Sequence, residues 1–333
     1  MQNVNRQKKV NGIGWFFLIT VIVHVGFSLL LSFAVDMGIN ISIEVQLIFS
    51  ELTLLVPTLI YILKNKLSFT EDLGFRKIKV GTIFMVLLVT MLISPFITFV
   101  NLASQLFVPN TMLESSSELL SGSTFVVWFL ASVYGPFVEE LGFRGVVGKT
   151  LGKASGLIKG VLMSSLLFAL MHLNINQACY AFVLGVIFSI VNIATGSIVS
   201  SMIMHMAVNG WNMLLMIVST KVMEAAGMSE QLSEVGEVAR NSSIMYVYIG
   251  VFLIMGIIGL ALAIPCVGWI SKHEGNADKL KVLFVKNNKG KSEDKEDSEH
   301  VRVLVNVPMI LSIIVVLFIM FGLSPLLAMF GFK

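Results

Sequence analysis

The chain reads as an all-α protein, a polytopic transmembrane helical bundle of about eight to nine spans built around a four-helix core. Three observations predict this. Of its 333 residues, 56% are hydrophobic and 13% charged, about half the charge of an ordinary soluble domain, so lipid is the expected solvent. Apolar runs recur from residue 13 to residue 330 with one long polar gap between them. Lys and Arg, finally, cluster mostly in alternate loops.

A hydrocarbon core of about 30 Å takes roughly 20 helical residues to cross. Runs of that character lie near 13–34, 43–63, 82–107, 125–147, 157–173, 177–194, 197–219, 245–270 and 306–330, the fifth and sixth being short and joined by a tight LNIN turn. The opening MQNVNRQKKVNG has the charge of a signal peptide, but the apolar stretch behind it lacks an Ala-x-Ala site, so a retained first span is expected.

Nine spans put twenty of the twenty-three Lys and Arg residues on one side, leaving Lys221, Arg240 and Lys333 on the other. By the positive-inside rule the N-terminus is expected in the cytoplasm and the C-terminus outside, in a multi-pass protein of a bacterial plasma membrane. The formal charge of +3 sits in these loops, which fits orientation in the bilayer and argues against a nucleic-acid partner. Cys179 and Cys266 lie inside apolar runs and read as small packing residues. The division expected is 1–124 for N-terminal spans, 125–218 for the core and 219–333 for C-terminal spans. Within the last, 271–304 has the mixed charge of a mobile cytoplasmic linker. The stretch from Lys221 to Ser243 is hydrophilic with weak helical spacing, as in a short external surface helix.

An ionisable side chain at the centre of a spanning helix costs at least about 2.5–3.5 kcal/mol, so such residues are candidates for function. The fourth span carries Val138-Glu139-Glu140-Leu141-Gly142-Phe143-Arg144. Glu140 and Arg144 are four apart, the spacing of a helical ion pair. Glu139 points about 100° away on a regular helix and stays free for proton transfer. The fifth span ends in Phe168-Ala169-Leu170-Met171-His172, with ring and imidazole one turn apart. The seventh contains His205-Met206-Ala207-Val208-Asn209, whose spacing turns imidazole and amide toward one side. Polar residues of kinds that activate water or stabilise an oxyanion thus gather in otherwise apolar spans. The plainer reading is a packing network that holds helices together.

EELGFR, FALMH and HMAVN, in that order and separation, resemble the three motifs of the CPBP intramembrane protease family, which includes CAAX prenyl endopeptidases and bacterial bacteriocin-processing and immunity proteins. The resemblance covers roughly residues 125–218. It implies a catalytic core in which Glu139 and His172 activate a water, His205 and Asn209 bind the developing oxyanion, and Glu140, Arg144 and Phe168 support them. It implies no certain cofactor. Zinc held by Glu139, His172 and His205 is the alternative, two imidazoles and a carboxylate being a familiar catalytic set, although there is no HExxH. The implied partner is a membrane-associated peptide or protein, lipidated in CAAX processing proper. In a bacterium a peptide pheromone, a bacteriocin or an anchored protein fits better. The rival function is a non-catalytic bacteriocin immunity or peptide-binding protein using the same polar cluster.

Several features have simpler expectations. All five Asp residues lie in loops or at span edges, against an aspartate dyad, and neither GxSxG nor a nucleotide-binding glycine motif occurs. Gly148, Gly152, Gly156 and Gly160, interleaved with lysines, read as a cytoplasmic connection. His24 reads as a packing residue, Glu44 as interfacial, and Glu51 as a residue that could line a cavity. One tension stands: Glu139 falls about 8 residues before the expected end of its span and His172 about 15 residues into the next, so at about 1.5 Å per residue their depths differ by roughly 10 Å. Either the fourth helix sits differently, with Gly135 and Pro136 breaking it, or the fifth is tilted or begins later; otherwise the two residues share no site.

Overall fold

In the computed structural model, the described residues are 2–110, 112, 115–227, 243–283 and 304–323, and among them there is no strand. The apolar runs form helices α1 (Gln2–Asp36), α2 (Ile43–Lys64), α3 (Val80–Ser104), α4 (Thr124–Ser155), α5 (Leu157–Met171), α6 (Ile175–Thr195), α7 (Val199–Ala225), α8 (Ser243–His273) and α9 (Val307–Phe318). Seven are long and apolar enough to cross a membrane, whereas α5 and the stretch Val307–Gly322 are shorter. Among the described residues the expected eight to nine spans appear as seven full-length helices and the short α5 and α9; the expected end of that last span, near residue 330, lies outside the described residues. At 15 residues, α5 is about 22 Å long, less than the hydrocarbon thickness.

The loops rich in Lys and Arg gather at one end. Lys153 pairs with Asp72 at 2.8 Å, the Ile198 amide donates to the Gly74 carbonyl, and Glu274 accepts from the Lys79 amide and the Thr82 hydroxyl, capping α3. Asn306 donates to the Val10 carbonyl and so ties α9 to α1. These contacts overturn part of the linker expectation: residues 271–283 continue α8 and then form a short helix at Ala277–Lys281. The rest of that segment lies outside the described residues, as does most of the stretch from Lys221 to Ser243 beyond the end of α7.

Two further expectations fail for a physical reason. The α4 helix does not stop near residue 147, nor does it break at Pro136; it runs on to Ser155 and turns at Gly156, whose φ is +96°. Of the four glycines, Gly156 is the expected connection, whereas Gly148, Gly152 and Gly160 lie in the helices at a close contact. A Cβ on Gly160 would lie 2.6 Å from the Gly152 backbone, and one on Gly148 would lie 3.3 Å from the Ser164 hydroxyl, so α4 and α5 pack backbone to backbone. With the turn at Gly156, Glu139 lies 17 positions before it and His172 16 positions after it. The mismatch in depth disappears because both arms of the hairpin have the same length.

Two predictions follow from this packing and from the basic end. Gly160→Ala should lower thermal stability in detergent by about 1–3 kcal/mol through overpacking. Gly152→Ala, whose Cβ would point into open space, should be neutral or stabilising by up to about 1 kcal/mol. Asp72 is held below the usual carboxylate range by its Lys153 partner and the Ser68 amide. Its contribution is present above the ordinary value and lost as pH falls through the lowered one. An acid titration of stability should show a small loss below about pH 4 that Asp72→Asn lacks, amounting to less than about 1 kcal/mol because the pair is solvated.

Candidate active site between the fourth, fifth and seventh helices

Pro136 in α4 has no N–H to give, so the helix widens around it. Residues Leu130–Tyr134 and Glu140–Gly148 are π-helical, and the Gly135 amide reaches back five residues to the Leu130 carbonyl. In that pattern the Ala131 carbonyl would need the amide of Pro136, which does not exist. Asn209 of α7 supplies the missing donor, its Nδ2 lying 3.2 Å from the Ala131 carbonyl. One amide proton of Asn209 is thereby committed to backbone, and the second stays available.

The second wide segment carries the charges. Arg144 Nη1 lies 3.3 Å from Glu140 Oε1, and both side chains are closed to solvent. The guanidinium stacks over the Phe168 ring at 4.1 Å and faces Phe188 at 5.4 Å, a geometry in which the ring faces partly replace lost hydration. The His205 imidazole then spans the two glutamates: Nδ1 is 3.1 Å from Glu140 Oε1 and Nε2 is 3.5 Å from Glu139 Oε2. Because an ion-paired Glu140 can only accept, Nδ1 carries a proton and Nε2 faces Glu139. Of the two glutamates, Glu139 keeps 18% of its side-chain surface open while Glu140 keeps none.

His172 ends α5 and stands edge-on to Phe168, 5.1 Å between ring centroids, while His205 meets the same ring at 5.7 Å. Phe168 thus touches both imidazoles and carries the guanidinium. The turn after His172 is built by two residues. Leu173 takes a φ of +54°, rare for a branched side chain. Asn174 accepts from the Gln177 amide at 2.8 Å, capping α6, and donates to the His172 carbonyl at 3.1 Å.

The structure thus gathers Glu139, Glu140, Arg144, Phe168 and His205 in direct contact, with His172 on the Phe168 ring and Asn209 a turn of α7 away. Two contributors escaped the sequence reading, and a third, Glu51, was expected there only as a residue that could line a cavity. Phe188 of α6, which packs on His205 at 5.1 Å, is one of twenty-four Phe residues and carries no local signal. The Ala131 carbonyl was legible only through Pro136 five positions on. Glu51 of α2 reaches Gly135, where a Cβ would lie 3.1 Å from its Oε1, and is close enough to Glu139 to interact with it electrostatically. His24, by contrast, pairs with the Thr53 hydroxyl at 2.8 Å.

The zinc alternative does not fit this arrangement. Among the described residues no three His, Cys, Asp or Glu side chains converge as a metal-holding group, and Nδ1 of His205 is already engaged by Glu140. No step below is routed through a metal.

Residues 121–211 match the family described as type II CAAX prenyl endopeptidase Rce1-like, a segment that contains all three motifs. The chain is also similar to the membrane-embedded CAAX protease MroQ of Staphylococcus aureus (strain USA300), 31% identical over 107 residues, which is 29% of this chain and 42% of that protein. The chain therefore spans about two-fifths of the length of this curated relative. No solved structure matches.

Arg144→Ala strips a buried carboxylate of its counter-charge and should cost about 3–5 kcal/mol, seen as loss of monodisperse protein in detergent. Arg144→Lys should not restore it, since an ammonium cannot stack flat between two rings. Asn174→Ala should cost about 1 kcal/mol as a lost cap, read from thermal unfolding.

Proposed function

We propose that this protein is an intramembrane endopeptidase that hydrolyses a peptide bond in a membrane-associated peptide or protein. One observation carries the reading: the open Glu139 carboxylate lies against a histidine that is itself locked by a buried ion pair. The matches to CAAX endopeptidases support the same class of reaction.

In this reading a water bound between Glu139 and His172 loses a proton to the Glu139 carboxylate as its oxygen attacks the scissile carbonyl carbon. The oxyanion receives the second amide proton of Asn209 and the Nε2 proton of His205. This step requires His205 doubly protonated, a state in which the charges of Glu139, Glu140, Arg144 and His205 sum to zero. Once Glu139 has taken the proton of water it no longer competes for His205 Nε2–H, which is then free to turn to the oxyanion. Glu139 next hands its proton to the departing amine as the C–N bond breaks. Glu140 and Arg144 touch no reacting atom and act as supports. The substrate fitting this chemistry is a lipidated or membrane-anchored peptide, such as a pheromone or bacteriocin precursor.

The test is cleavage of a panel of lipidated and unlipidated membrane peptides by purified protein. Glu139→Gln, which keeps the shape and removes the base, should abolish turnover with thermal stability close to that of the wild type. Asn209→Ala should slow turnover about 10²–10³-fold, with a stability loss of only about 1 kcal/mol from the freed Ala131 carbonyl. Unchanged cellular activity in a folded Glu139→Gln protein would support the immunity or peptide-binding reading instead.

A further inference from the structure

A second concave surface lies away from the glutamates. Between α1 and α2 runs a cleft of about 860 Å³. Its walls are Trp15, Ile19 and Val23 from α1 and Val56 and Ile60 from α2, all exposed. Gly12 leaves room at its floor, where a Cβ would stand 3.3 Å from the Tyr61 hydroxyl. Around α2, Val56, Ile60 and Lys64 follow one another at four-residue steps, on the side away from Leu54 and Thr58, which pack on Gly142 of α4. The cleft is therefore distinct from the candidate active site and independent of the reading given to it.

The two ends of this cleft differ in chemistry. One end is rimmed by Lys8, Lys9 and Lys64, with Asn5 and Asn65 beside them; the walls beyond are apolar. The three lysines are exposed and make no ion pair within the described residues. Asp72 acts on Lys9 at a distance, and its carboxylate already receives Lys153. Three unneutralised cations on the rim of an apolar slot match one kind of occupant, an amphiphile with an anionic head and a hydrocarbon tail. The distribution of Lys and Arg assigns this end of the bundle to the cytoplasm, where anionic lipids attract such clusters by about 1 kcal/mol per basic residue. Trp15, a short way further along α1, is the residue type that favours the boundary between headgroups and chains.

We infer that the α1–α2 cleft is a binding site for an anionic phospholipid, with the phosphate held by Lys8, Lys9 and Lys64 and one acyl chain lying against Trp15, Ile19, Val56 and Ile60. The lipid fills the gap between the first two helices from the bilayer side and fixes their spacing.

The experiment uses the full chain in detergent micelles doped with phosphatidylglycerol, with phosphatidylcholine of the same chains, or with glycerol phosphate in solution. Phosphatidylglycerol should raise the melting midpoint by about 3 °C or more, and the other two should not. The shift should vanish in the Lys8→Gln, Lys9→Gln, Lys64→Gln triple variant. It should vanish also in Ile19→Trp, which fills the slot and keeps the charges. It should survive in Lys77→Gln, Lys159→Gln, Lys272→Gln, which loses the same charge elsewhere. A phosphatidylglycerol carrying a photoreactive chain should crosslink to α1 or α2 of the wild-type protein, a readout that does not depend on any variant folding. An equal shift with phosphatidylcholine or with glycerol phosphate, an equal loss in the control triple variant, or crosslinks confined to other helices would overturn the site.

Discussion

A guanidinium that cannot reach water must have its charge answered from inside the protein, and around Arg144 several elements converge to do so. Glu140 supplies the counter-charge from the same helix. Phe168 and Phe188 supply ring faces from α5 and α6. His205 of α7 then takes its orientation from Glu140. The ion pair is therefore the point at which four helices agree on a mutual position. It also divides the labour of two neighbouring glutamates. Glu140 is closed to solvent and paired with positive charge, and Glu139 stays partly exposed with a histidine beside it.

The geometry of α4 depends on a missing proton. Pro136 cannot donate, and a helix that meets such a residue can break or widen. Here it widens, twice. Glu139 and Glu140 lie at the start of the second wide segment, where one imidazole touches both. The wide turns also strand the Ala131 carbonyl, which Asn209 answers. A wide turn exposes backbone polar groups that lipid could not satisfy, so it is tolerated only where another helix brings a partner.

His172 is delivered by different means. Backbone contact along the glycines of α4 and α5 makes a hairpin with equal arms, and α5 ends after 15 residues. Leu173 and Asn174 then close the turn, with one residue strained and the other bonded to both sides of it. Placing an imidazole at the level of Glu139 thus rests on where a helix turns, and not on any property of the histidine itself.

The spans, the side on which the basic loops gather, and the residues able to do proton chemistry were all legible in the sequence. Each is a local property: hydropathy over about twenty residues, charge between runs, and a polar side chain where lipid penalises it. The end of α4, the meaning of its glycines, the ordered start of the 271–304 segment, and the presence of Phe188 near the site were not legible. These depend on which backbone lies within a few ångströms of which other, and a run of Gly and Lys reads alike as a loop or as a contact until its partner is known. The sequence by itself determined that Glu139, Glu140, Arg144, His172, His205 and Asn209 lie within apolar spans where isolated polarity is costly. Only the tertiary structure decided that His205 bridges the two glutamates and that Asn209 answers a proline. Those pairings join residues about 65–78 positions apart, across distances that helical periodicity does not encode.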